Sequence, residues 1–110
     1  MPKRHSLRAA DFNDLFSTGS RARVDGVTVY VRRRADSEQA RLGLAVPKRS
    51  GSAVTRNRIR RRLRAAFTEC GASPGLDVAI KSGPEVAGKN YQELVNNLHE
   101  ALTAAEAKTL

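Results

Sequence analysis

Between Arg41 and Arg64 the chain carries nine basic side chains and no acidic one, yet half of that stretch must still find a face to bury. At the 100° step of an α-helix, Ile59, Leu63, Ala66, Phe67 and Cys70 fall on one side and form an apolar stripe. Arg58, Arg60, Arg61, Arg64 and Asn57 cover the opposite side, with Arg56 and Arg62 on its flanks. The spacing predicts a helix that starts near Ser52–Val54, after the Ser50-Gly51 break, and runs to about Cys70. Such a helix sits on a core and turns a wall of guanidinium groups outward.

The remaining elements follow from shorter signals. Residues 5–17 read as a first helix, with Phe12, Leu15 and Phe16 as its apolar stripe and Gly19 as its C-terminal cap. Val27–Val31 is rich in β-branched residues, follows an Asp25-Gly26 turn and reads as a strand. A second strand, Arg41–Val46, is stopped by Pro47, and a hairpin between the two is the natural pairing. A short strand around Ala22–Val24 is only weakly signalled. Gly71–Gly75 is a turn, and Leu76–Ile80 is a further strand, ended by Ser82-Gly83-Pro84. Residues 90–105 form a last helix with Leu94, Leu98, Ala101, Leu102 and Ala105 inward, Asn90 as N-cap and Glu93 at capping-box distance. The order is α-β-β-α-β-α, with room for one more short strand. It predicts an α/β (α+β) two-layer sandwich, a small mixed sheet packed by helices.

A chain of 110 residues suits one domain, 1–110, and 40% hydrophobic residues suffice for its core. The single cysteine, Cys70, has no partner for an internal disulfide. No secretion-type apolar run follows Met1–His5, and no stretch approaches the roughly 18 apolar residues of a membrane span. The expectation is a cytoplasmic protein with no membrane partner. The net charge of +9 is concentrated rather than spread: residues 65–110 are net acidic while residues 41–64 are purely basic. That focusing suits a polyanion, whose counterions are released on binding.

Catalytic chemistry has little to stand on. His5 and His99 lie at opposite ends of the chain. Asp11 and Asp14 share a helical side, but their spacing is also ordinary first-helix decoration. Cys70 falls on the apolar stripe, and neither a phosphate-binding glycine loop nor a zinc-ligand spacing is present. The residues read as those of a binder, with no catalytic group and no metal site of its own. Arginine forks match phosphate oxygens in bidentate fashion, in DNA as in RNA, and an arginine-dominated face suits the shape and backbone of folded RNA. Phe12 and Phe16 read either as core or as one edge of a groove where unpaired bases stack. Tyr30 and Arg32 share the strand face opposite Val27, Val29 and Val31, and so carry the same ambiguity.

Two segments bear a family likeness. Arg41-Leu42-Gly43-Leu44-Ala45-Val46-Pro47-Lys48-Arg49, followed by Gly51-Ser52-Ala53-Val54-Thr55-Arg56-Asn57-Arg58-Ile59-Arg60-Arg61, resembles the signature of the bacterial ribonuclease P protein. The Arg4…Leu7…Asp11-Phe12…Phe16…Gly19 opening and the Leu76–Ile80 strand match its pattern as well. The resemblance implies an α/β sandwich with a left-handed βαβ crossover through the arginine helix. It implies a large catalytic RNA as partner, precursor tRNA as substrate, and Mg2+ bound mainly by the RNA, with no obligate protein partner. By position, Arg56, Asn57, Arg58, Arg60, Arg61 and Arg64 would meet the catalytic RNA. Phe12, Phe16, Tyr30, Lys48 and Arg49 would line the cleft for the single-stranded 5′ leader. Ser52, Pro47 and Lys81 depart from the family pattern, where asparagine, serine and arginine are usual. A structural RNA-binding protein of ribosomal type is the alternative that the charge alone would also allow.

Overall fold

The structure, a computed structural model, describes Leu7 and residues 9–109. Its elements are α1 (Ala9–Thr18), β1 (Ser20–Val24), β2 (Val27–Arg33), β3 (Arg41–Ala45), α2 (Ala53–Cys70), β4 (Leu76–Ser82) and α3 (Tyr91–Ala107). Short 3-10 turns at Lys48–Ser50 and Pro84–Gly88 precede α2 and α3. The predicted order holds, with the weakly signalled strand present as β1. Helix α1 begins later than its predicted start at residue 5. Leu7 is not helical: its N–H donates to the Leu42 carbonyl at 3.1 Å, along the edge of β3. Residues 1–6 and Arg8 lie outside the described residues.

The predicted hairpin between β2 and β3 does not form. The sheet order is β1-β2-β4-β3, so β2 pairs antiparallel with β1 and β4, and β3 pairs only with β4, in parallel. Two local facts explain the difference. Asp25 and Gly26, with φ of 46° and 84°, make a two-residue turn that closes β1 onto β2 at Val24 and Val27, the geometry for which Asp-Gly is the strongest short signal. Strand β4 is buried along Leu76–Ile80 on both faces, as befits a central strand. Strand β3 is half-buried throughout and takes the edge. After β2 the chain therefore passes over the end of β4 before entering β3. Gly75 anchors this crossing: it accepts from Arg34 N–H and donates to the Glu38 carbonyl, both at 2.7 Å. Its φ of 83° and the Asp36 carbonyl 2.6 Å from where a Cβ would stand require glycine.

The sheet has two unlike faces. Val27, Val29 and Val31 join Val78 and Ile80 beneath α2 and α3 in one buried cluster with Ile59, Leu63, Leu94, Leu98 and Ala101. On α2, Ile59, Leu63 and Ala66 are buried while Phe67 and Cys70 border the cluster, so the predicted stripe is the packed one. Ser52 caps α2 by accepting from Thr55 N–H at 3.2 Å, and Gly71, at φ 68°, ends it. Asn90 and Glu93 form the expected capping box at the start of α3. The other face carries Thr28, Tyr30 and Arg32 beside Lys81, Ala79 and Asp77, with Gly43 one strand further. Helix α1 lies across one end of it. A Cβ on Gly43 would stand 2.5 Å from Phe12 Cδ1, so this glycine lets α1 sit down on the sheet.

Candidate nucleic-acid interface

Helix α2 presents the predicted polar wall. Asn57, Arg58, Arg61 and Arg64 are exposed, and Arg56 and Arg60 are half-buried. Their hydrogen bonds are to neutral groups: Arg60 Nη1 donates to Asn57 Oδ1 at 2.9 Å, and Arg56 Nε to the Gly51 carbonyl at 3.3 Å. Arg62 turns away and donates to the Lys89 carbonyl at 3.2 Å. Among the described residues, none of these arginines has a carboxylate partner. The reason is compositional, since no acidic residue lies between Arg41 and Arg64 and α2 is placed against α3 by its apolar stripe.

Arg32, Arg34 and Arg41, at one end of the sheet, are treated differently. Asp77, 1% exposed near the start of β4, accepts from Arg32 at 2.9 Å and from Arg34 at 2.8 Å, and lies 3.3 Å from Arg41. Arg32 is also bridged to Asp14 and lies 3.6 Å from Asp11. The carboxylates that read as helix decoration therefore tie α1 to the sheet. Arg34 is held by Asp36 at 2.9 Å and by the carbonyls of Leu76, Glu38 and Gln39. The hydrogen bond to Asp77 raises the Arg32 pKa, and that to Asp36 raises the Arg34 pKa. Arg34 in turn holds the Asp36 carboxyl below its usual range. Sequence reasoning missed this network. The signal was an aspartate inside the apolar run Leu76–Ile80, which a buried position tolerates only with cationic partners.

The aromatic residues come together on the same face. Phe12 and Phe16 meet edge to face with centroids 4.8 Å apart, and Phe16 meets Tyr30 in the same way at 4.8 Å. All three are half-buried, whereas Leu15 of the same helical stripe is fully buried. Leu15 thus anchors α1, and the rings keep exposed edges. Beyond Tyr30 the face opens into a concavity of about 440 Å³ lined by Arg21, Arg23, Thr28, Arg49 and Lys81 among others. Arg49 reaches it from the Lys48–Ser50 turn; Lys48 is exposed on that turn but does not line it. Arg21, Arg23 and Lys81 were not singled out in the sequence for this role, although their alternation along β1 and β4 carries the information.

Among the described residues the donor set does not suit a metal site. The carboxylates that converge, Asp11, Asp14 and Asp77, do so around a guanidinium, and no group of three candidate ligands occurs among the described residues. Burial pushes the Cys70 thiol up, as expected of a packing residue. No helix among the described residues is long and apolar enough to cross a membrane.

The ribonuclease P family model matches residues 1–106. The ribonuclease P protein component of Kocuria rhizophila is 33% identical over 108 residues, covering 96% of this chain and 95% of that protein. That of Geobacillus kaustophilus is 31% identical, covering 93% and 87%. Among solved structures, the Staphylococcus aureus RNase P protein superposes with a TM-score of 0.83 at 24% identity, covering 94% of this chain and 97% of that one. The Thermotoga maritima RNase P protein gives 0.79 at 22%, with the same coverage. These two agree in fold with the mixed four-stranded sheet and three helices described above. The chain belongs to the ribonuclease P protein family.

Proposed function

We propose that this chain is the protein subunit of a bacterial-type ribonuclease P, gripping the catalytic RNA with α2 and the 5′ leader of precursor tRNA with the opposite sheet face. The observation that carries the reading is the division of the arginines. Arg32, Arg34 and Arg41, at one end of the sheet, are neutralised by Asp77, Asp36, Asp11 and Asp14, while those of α2 have no carboxylate partner among the described residues. Unpaired guanidiniums repel one another and destabilise a free protein; an RNA backbone relieves that and releases counterions.

In this reading Arg56, Arg58, Arg60, Arg61 and Arg64 bind phosphates of the catalytic RNA, and Asn57 adds an amide that donates and accepts. Phe12, Phe16 and Tyr30 offer ring edges and faces to unpaired leader bases, and Arg49 and Lys48 hold leader phosphates. The protein supplies no reacting group. Mg2+ is held by the RNA, and the hydrolysis that frees the mature 5′ end takes place there, in the cytoplasm. The protein raises substrate affinity by adding contacts that only a leader-bearing tRNA makes.

The test is cleavage of a precursor tRNA at low magnesium by a bacterial ribonuclease P RNA, with and without this protein. Cleavage at the mature 5′ end that needs both components supports the reading. Tight binding of folded RNA without stimulation makes the chain a structural RNA-binding protein instead. Cleavage by the protein alone would reveal a protein active site.

A further inference from the structure

The basic concavity beyond Tyr30 contains one anion, Glu85. It follows the β4 strand, on the Pro84–Gly88 turn, and its carboxylate is seated rather than free. Arg23 Nη2 lies 3.3 Å from Oε2. A Cβ on Gly26 would stand 3.0 Å from Oε1, and one on Gly83 would collide with it. Gly83 N–H donates to the Gly26 carbonyl at 2.7 Å, so the two glycines are joined and leave the space the carboxylate fills. Two side chains would ordinarily close this end of the sheet; their absence gives Glu85 its place.

We propose that Glu85 is a specificity-determining residue that ends the phosphate track of the single-stranded leader at this point. The proposal rests on the assignment of this sheet face to the leader. Carboxylate and phosphate oxygens both only accept hydrogen bonds, so Glu85 repels the backbone, and it also occupies Arg23, which would otherwise take a phosphate. Arg49, Lys81 and Arg21 remain as phosphate ligands on the near side. Leader nucleotides beyond them gain nothing from the protein, which sets the leader length it senses. An exposed ion pair contributes little to stability, so its position in the groove, rather than its strength, gives it a role.

The experiment uses the assembled enzyme and a series of precursor tRNAs with leaders of increasing length, together with mature tRNA. With the wild-type protein, affinity rises with leader length and then levels off. Glu85→Gln keeps the shape and removes the charge. It is expected to move the plateau to longer leaders and to raise affinity for the longest by about three- to tenfold, the size of one added phosphate contact at partly screened distance. Mature tRNA is unchanged, and Arg23→Gln added to Glu85→Gln restores the original plateau. An unmoved plateau overturns the proposal, as does a gain shared by mature tRNA or one that survives loss of Arg23, and each of these leaves leader binding itself intact. A wild-type enzyme whose affinity ignores the leader and is indifferent to Phe16→Ala refutes the leader assignment, and this proposal with it.

Discussion

Asp77→Asn tests the charge network that shapes the sheet face of the proposed leader site. Asp77 is 1% exposed and Arg34 8%, so their contact at 2.8 Å is nearly free of solvent screening; Arg32 and Arg41, at 27% and 32%, are partly hydrated. Oδ1 serves Arg34 and Arg41, and Oδ2 serves Arg32. Asparagine keeps the volume but has one oxygen, and its amide nitrogen is a donor facing donors. Either Arg32 or the Arg34–Arg41 pair loses its acceptor. Breaking a buried pair from one side costs about 3–5 kcal/mol, and a hydrogen bond to a charged group about 1.5–3 kcal/mol. Arg34 keeps Asp36 and three carbonyls, which places the loss near the lower end, about 3 kcal/mol. At roughly 4 °C per kcal/mol for a domain of this size, Tm should fall by about 12 °C. Urea and thermal unfolding of the free protein, with Arg41→Gln as the milder comparison, measure it. A loss below about 1 kcal/mol would mean that the three arginines do not depend on Asp77, and the reasoning would fail.

Replacing Arg60, Arg61 and Arg64 together with alanine should lower the salt dependence of binding to a ribonuclease P RNA by about 2–3 units of log–log slope, at roughly 0.7–0.9 per phosphate contact. Filter binding across salt concentrations reads this, and an unchanged slope removes the α2 face from the interface. Phe16→Ala should weaken precursor tRNA relative to mature tRNA in the assembled enzyme by about tenfold, one stacked base; equal losses for both would make Phe16 a packing residue only. Asp36 has its folded pKa below the ordinary 3.8 because of the Arg34 hydrogen bond. Its contribution is therefore present above that value and lost as pH falls through the lower folded one. Asp36→Asn should flatten the acid limb of stability against pH, and an unaltered limb in acid unfolding curves would refute the coupling.

Much of the candidate interface was readable because it is local. The α2 wheel needs only the helical period, and Ile59, Leu63 and Ala66 are the buried side while Arg58, Arg61 and Arg64 are the exposed one. The capping box at Asn90 and Glu93 likewise lies within one turn. The alternation in β2 correctly put Tyr30 and Arg32 together on the face away from the valines. The same alternation was silent about what would meet them there. Arg32 lies against Asp11, Asp14 and Asp77, drawn from positions far apart in the chain, and Tyr30 lies against Phe16.

The amino-acid order by itself determined the succession of helices and strands, where α2 and α3 start, and that one helix would carry cations without counter-charges, because periodicity, capping and local charge act within a few residues. Strand order was decided by the tertiary structure alone: β2 and β3 are consecutive strands, yet β4 lies between them, its Leu76–Ile80 run buried on both faces while β3 takes the half-buried edge. That choice brings Asp77 to the arginines and carries Lys81 and Glu85 to the end of the proposed leader face. Proximity across a sheet is set by competition among all the strands for the core, and no short stretch of sequence contains that competition.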